Sequence, residues 1–246
     1  MRIAWDRSGS GPPLLLIQGL GYARWGWEPV LEPLARSFDV LSFDNRGVGE
    51  SEVPAGPYTA AELAADAVQV LDEAGVEHAH VVGTSLGGMI AQELALDYPE
   101  RVEKLVLACT TPGGAKAFPM PQRTVDLMLA RASLREFTEN ALEPAKRPDL
   151  VERILVHRER TAQPFDAWAA QAAAGAGFNA SERLGELAAP TLVQHGDGDV
   201  VVDPRNSELL LDLIPDAQLS LYAGGGHLFF WQEPERFVRE LEEFLQ

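Results

Sequence analysis

The segment His80-Val81-Val82-Gly83-Thr84-Ser85-Leu86-Gly87-Gly88-Met89 constrains the chain more than any other. A serine between two glycines, each two positions away, suits a sharp turn from strand to helix, where only small residues tolerate the close backbone approach. The flanks agree with that reading. Ala79 to Val82 is a short apolar run. Leu86, Met89, Ile90, Leu94 and Leu96 follow at helical spacing until Tyr98-Pro99 ends the helix.

The remaining pattern is alternating. Short apolar runs at Leu14–Gln18, Asp39–Phe43, Lys104–Cys109, Ala189–Gln194 and Gln218–Tyr222 are separated by helical patterns, the signature of a mainly parallel sheet with crossover helices. Arg2–Asp6 is a first short strand, and Ser8 to Pro13 is turn punctuation. A helix is expected over Trp25–Ala35, although Pro29 and Pro33 disfavour its interior. Thr59-x-x-Glu62 is a capping box that opens a helix stopping at Gly75. Helices are also expected at 205–214 and 234–245.

Between Thr110 and Ala189 the strand pattern stops, and Pro121–Ala141, Asp149–Thr161 and Pro164–Ala174 read as helices. The domain reading is therefore a core of residues 1–109 and 190–246, with 110–189 as a helical cap folding over the sheet edge that carries Ser85. At 246 residues the chain suits one α/β core with such an insertion.

Charge narrows the partners. A formal net charge of −17, with no Lys/Arg run longer than a pair, argues against nucleic acid and against anionic membrane surfaces. The single cysteine, Cys109, precludes an internal disulfide and a cysteine metal cluster, and reads as a small buried side chain. No signal-peptide pattern or membrane-length apolar run is present, so a cytoplasmic protein is expected. No His/Cys/carboxylate set has ligand spacing, so neither metal nor cofactor is expected. The oligomeric state is not legible.

A serine hydroxyl becomes a nucleophile when a base takes its proton and a third group orients that base. Ser85, an acid in the loop His195-Gly196-Asp197-Gly198-Asp199, and His227 after Gly224-Gly225-Gly226 follow the chain order serine, acid, histidine. Each comes just past a strand end, where open α/β sheets place their sites.

With Gly83-Thr84-Ser85-Leu86-Gly87-Gly88, the loop Phe43-Asp44-Asn45-Arg46-Gly47-Val48-Gly49-Glu50-Ser51, the segment from Pro190 to Asp199, and Gly226-His227, the chain resembles the α/β-hydrolase superfamily over nearly its whole length. It is similar to the small cofactor-free esterases, the 3-oxoadipate enol-lactonase-like enzymes and the haloperoxidase-like hydrolases. The resemblance implies a mainly parallel α/β sheet of about seven to eight strands, with helices on both faces and a small helical cap. It implies Asp199 as the acid, with Asp197 and Asp203 as decoys, and backbone N–H groups of Leu20 and Leu86 as the oxyanion hole. Where the family commonly reads His-Gly before that first donor, this chain has Gln18-Gly19. A serine nucleophile argues against the dehalogenases and epoxide hydrolases of this fold, which attack with a carboxylate.

The expected function is hydrolysis of short-chain or aromatic, uncharged carboxylic esters through an acyl-serine. Tyr22, Trp25, Phe118, Met120, Met128, Phe137, Trp168 and Leu228 are expected to line the pocket, joined by Leu20, Leu86 and Phe229. An enol-lactone bearing a carboxylate is the alternative. It would need a cation in the pocket, for which Arg24, Lys116, Arg123 and Arg131 are candidates. A ligand receptor or signalling protein on the same fold is the alternative of another class, and peroxide interception of the acyl-enzyme is a possible side activity.

Overall fold

The computed structural model describes residues 1–145 and 147–246. Seven strands, β1 (Trp5–Gly9), β2 (Pro13–Ile17), β3 (Asp39–Phe43), β4 (Ala79–Thr84), β5 (Val102–Ala108), β6 (Thr191–Gly196) and β7 (Ala217–Tyr222), form one sheet in the order β1-β3-β2-β4-β5-β6-β7. Every neighbouring pair is parallel except β1 with β3. The central strands are continuous apolar runs because both their faces are covered. Leu15, Ile17, Leu41, Val81 and Leu105 enter the core on one side. Leu14, Leu16, Val40, Val82 and Val106 enter the other, the period of two that a strand imposes.

The helices are α1 (Glu28–Leu34), α2 (Ala60–Ala74), α3 (Leu86–Asp97), α4 (Gln122–Leu129), α5 (Leu134–Ala141), α6 (Pro148–Arg160), α7 (Phe165–Ala176), α8 (Arg205–Leu213), α9 (Phe229–Gln232) and α10 (Pro234–Leu245). Helices α2 and α3 cover the first face, while α1, α9 and α10 cover the second with Val30, Leu34, Phe230, Trp231 and Phe237, joined by Trp27 just before α1. The α2 boundaries follow their chemistry. Thr59 and Glu62 form the reciprocal capping box, and Gly75 closes the helix at φ 69°.

Three expectations are corrected. The first strand lies at 5–9 rather than 2–6, because antiparallel pairing of Trp5 with Phe43 through Gly9 with Asp39 draws Ser8-Gly9 into the ladder. The helix expected from Trp25 opens as a 3-10 turn at Arg24–Trp27 and becomes α-helical only at Glu28, where Pro29 fits the first turn. The helix expected over Pro121–Ala141 is two. Arg131 takes φ 50°, and Ser133 with Glu136 forms a second capping box that starts α5.

Helices α4 to α7 sit over the C-terminal ends of the strands, while Ala180, Leu184 and Leu187 pack into the core beside α3. Gln171 of α7 accepts from Gly21 N–H at 3.2 Å and donates to the Arg46 carbonyl at 2.7 Å, joining the loops after β2 and β3. Thr124 of α4 donates to the Val200 carbonyl after β6 at 2.6 Å. The Ala141 carbonyl accepts from Leu228 N–H after β7 at 3.1 Å. Among the described residues no helix is long and apolar enough to cross a membrane.

Candidate active site

Ser85 stands between β4 and α3 at φ 55° and ψ −118°, a conformation costing a non-glycine residue about 1–3 kcal/mol. The flanking glycines make it possible. A Cβ on Gly83 would overlap the Gly87 carbonyl, and one on Gly87 would overlap the Ile17 carbonyl of β2. Ser85 N–H donates to the Ala108 carbonyl at 2.9 Å, and its own carbonyl accepts from Thr110 Oγ1 at 2.7 Å. The elbow is thus tied to β5, and the side chain lines a cavity of about 400 Å³.

His227 follows β7 and lines the same cavity. Its Nδ1 lies 2.7 Å from Asp199 Oδ2, so the N–H resides on Nδ1 and Nε2 is left with a lone pair. Asp199 is buried in the loop after β6. Oδ1 accepts from the N–H groups of Val201 at 2.7 Å and Val202 at 3.0 Å, while Oδ2 is also 3.0 Å from His195 Nε2. Burial by itself would push the Asp199 carboxyl up, but the electrostatic pull of His227 and hydrogen bonds from His195 and His227 outweigh it and hold the group below the usual carboxylate range. Asp199 is therefore an anion with four donors around it. Among the described residues no hydrogen bond joins Ser85 Oγ to His227, although both line the same cavity.

The decoys are occupied elsewhere. Asp197 caps the β7 loop through Gly224 N–H at 2.6 Å, and Asp203 pairs with Arg205 at 2.6 Å. His195 is buried and serves as the second donor to Asp199. His157 stacks on Trp25 and meets Glu28 at 2.7 Å, and burial holds the His80 imidazole below its ordinary value. Cys109 is buried beside Asp199. Burial first, then that charge, push its thiol up, so it stays protonated. No group of three His, Cys, Asp or Glu residues able to hold a metal occurs among the described residues.

Leu86 is the first residue of α3, so its N–H has no acceptor within the helix, and Leu20 follows Gly19 in the loop after β2; both line the cavity. Gln18 replaces the expected histidine by accepting from its neighbour Gly19 N–H and from Thr84 Oγ1, each at 3.3 Å.

Of the expected pocket residues, Tyr22, Phe118, Met120, Met128, Phe137, Trp168 and Leu228 line the cavity. Trp25 does not. Its indole N–H donates to Thr161 Oγ1 at 2.9 Å and its ring is spent on His157 and Tyr22. Phe229 is fully buried in the core below. The four candidate cations are absent from this lining as well. Arg24 is bound by Asp6, Asp44 and Glu50, Lys116 is exposed, and Arg123 faces Glu143 at 3.7 Å. Arg131 sits over the Phe165 ring in a smaller adjoining cavity. The cation in the wall is Arg158, which the sequence reading missed. Its signal was present: Val151, Ile154, Leu155 and Arg158 share one face of α6, and all four are buried.

The model of the α/β hydrolase fold family matches residues 12–234. A protein of Azorhizobium caulinodans named "Putative carbamate hydrolase RutD" is 34% identical over 98% of this chain and 93% of its own. A poly(3-hydroxyalkanoate) depolymerase of Ectopseudomonas oleovorans is 32% identical over 95% of this chain and 84% of its own. The solved structure of Est816, described as an N-acyl homoserine lactone degrading enzyme, superposes with a TM-score of 0.87 at 30% identity, covering 98% of this chain and 96% of that one. The chain belongs to the α/β hydrolase fold family.

Proposed function

We propose that the protein is a serine hydrolase that cleaves carboxylic esters, lactones included, through an acyl-serine intermediate. The observation that carries this reading is His227, held by Asp199 at 2.7 Å with its other nitrogen free, in the same cavity as a serine on a strained elbow. His227 Nε2 takes the Ser85 proton as Oγ attacks the carbonyl. The N–H groups of Leu20 and Leu86 receive the oxyanion. Collapse breaks the C–O bond, and the leaving alkoxide takes the proton from His227. A water deprotonated by His227 then attacks the acyl-Ser85 ester, the C–Oγ bond breaks as Ser85 Oγ takes that proton back from His227, and the acid is released.

The carbamate named for the Azorhizobium caulinodans relative favours one second reading, in which the same three groups pass through a carbamoyl-serine. Steady-state turnover of an aryl ester, a lactone and an aryl carbamate of matched size tests both. Ser85→Ala is expected to lower turnover by about 10³-fold or more with an unchanged circular dichroism spectrum. Near-normal hydrolysis by that variant overturns the proposal. Fast multiple turnover by the wild type would also remove a purely ligand-sensing role for the fold.

A further inference from the structure

Arg158 is the one charged side chain in the cavity wall, among the described residues, with no oppositely charged partner. It is 8% exposed, its Nε is buried without an acceptor, and it forms no ion pair with any described carboxylate. Its contacts are a long hydrogen bond to Thr138 Oγ1 at 3.3 Å and the face of the Tyr22 ring, 4.9 Å from guanidinium carbon to centroid. The carboxylate in the same wall, Asp203, is committed to Arg205, and Asp199 to two histidines. Tyr22 is 9% exposed in the same wall, and its buried hydroxyl is also without a hydrogen-bond partner.

A buried guanidinium ordinarily carries a carboxylate, because removing its charge from water is costly unless an anion and hydrogen bonds replace the solvent. Here the guanidinium lines a cavity whose wall is largely Leu, Met, Phe and Trp side chains, with Gln18, Asn140, Gln171 and Asn206 among them. We infer that Arg158 forms an anion subsite, and that the substrate is an ester or lactone bearing a free carboxylate that binds there. The inference rests on the acyl-serine reading for the bond cleaved and on Arg158 alone for the charge. It replaces the uncharged substrate expected from the apolar residues. A guanidinium offers a carboxylate two parallel N–H bonds, so the subsite fixes orientation as well as charge.

Monomethyl glutarate and dimethyl glutarate differ by the one carboxylate and serve as probes. For the wild type, kcat/KM per ester group is expected to favour the monoester by about 10- to 100-fold, the range of a charged hydrogen-bonded contact. Arg158→Met should collapse that ratio toward one, mainly through KM of the monoester, and Arg158→Lys should keep part of it. A merely structural Arg158 would lower both esters alike and leave the ratio unchanged. A wild-type ratio near one overturns the inference while leaving ester hydrolysis standing, and needs no variant to fold. If neither ester is turned over, binding decides separately: the Tm of Ser85→Ala should rise with monomethyl glutarate and not with the diester, and the rise should vanish on adding Arg158→Met. Equal shifts by the two esters would sink the anion subsite.

Discussion

Asp199 serves two imidazoles through one oxygen, His227 at 2.7 Å and His195 at 3.0 Å, while two backbone N–H groups hold the other. An amide at this position would donate where it must accept, so Asp199→Asn is expected to favour the wrong His227 tautomer and lower kcat by about 10³- to 10⁴-fold. The same group contributes to acid stability. Its folded pKa lies below the unfolded value of about 3.9, so its contribution is full above that pH and fades as pH falls toward the folded pKa. Urea unfolding below about pH 4 should therefore lose stability more steeply in the wild type than in Asp199→Asn. At this scale the serine, the acid loop and the histidine were legible, since each is a short motif at a strand end. Arg158 stood on the apolar face of α6 yet was missed, because a single cation there acquires meaning only when the acid of the same wall is seen to be engaged elsewhere.

The elements were legible wherever one local rule sufficed. The apolar runs became strands, and Thr59 with Glu62 and Gly75 bounded α2. Errors arose where two rules competed. Helical periodicity across Pro121–Ala141 concealed the capping box at Ser133, which wins because it satisfies N–H groups at the new start of α5. Ser8-Gly9 reads as a turn alone and becomes strand through pairing with β3, a contact some thirty residues away. The elbow between β4 and α3 belongs to this scale as well. Gly87→Ala would drive a methyl group into the Ile17 carbonyl, backbone that cannot yield without moving β2. That variant should unfold at least about 3 kcal/mol more easily or fail to accumulate as folded protein, whereas Gly185→Ala, where a Cβ meets open space, should behave as wild type in the same urea titration.

The whole molecule is a sheet with its chemistry at one edge and a helical segment above it, tied to the loops after β2, β3, β6 and β7. The sequence established that such a segment exists. It did not establish which cation the inner surface would carry, since its candidates Arg24, Lys116, Arg123 and Arg131 lie outside the cavity lining and Arg158 lies within it. That placement has a kinetic consequence. A body of formal charge −17 repels an anion at long range, while Arg158 attracts it only within the cavity. Raising ionic strength from 0.01 to 0.15 M shortens the screening length from about 30 to about 8 Å, which removes the outer repulsion and leaves the buried contact largely intact. Stopped-flow association of monomethyl glutarate with Ser85→Ala should accordingly accelerate with added salt, and the diester's should not. Salt would act here as an aid to entry, and the acidic exterior as a barrier that slows the approach of the very anions the interior is built to hold.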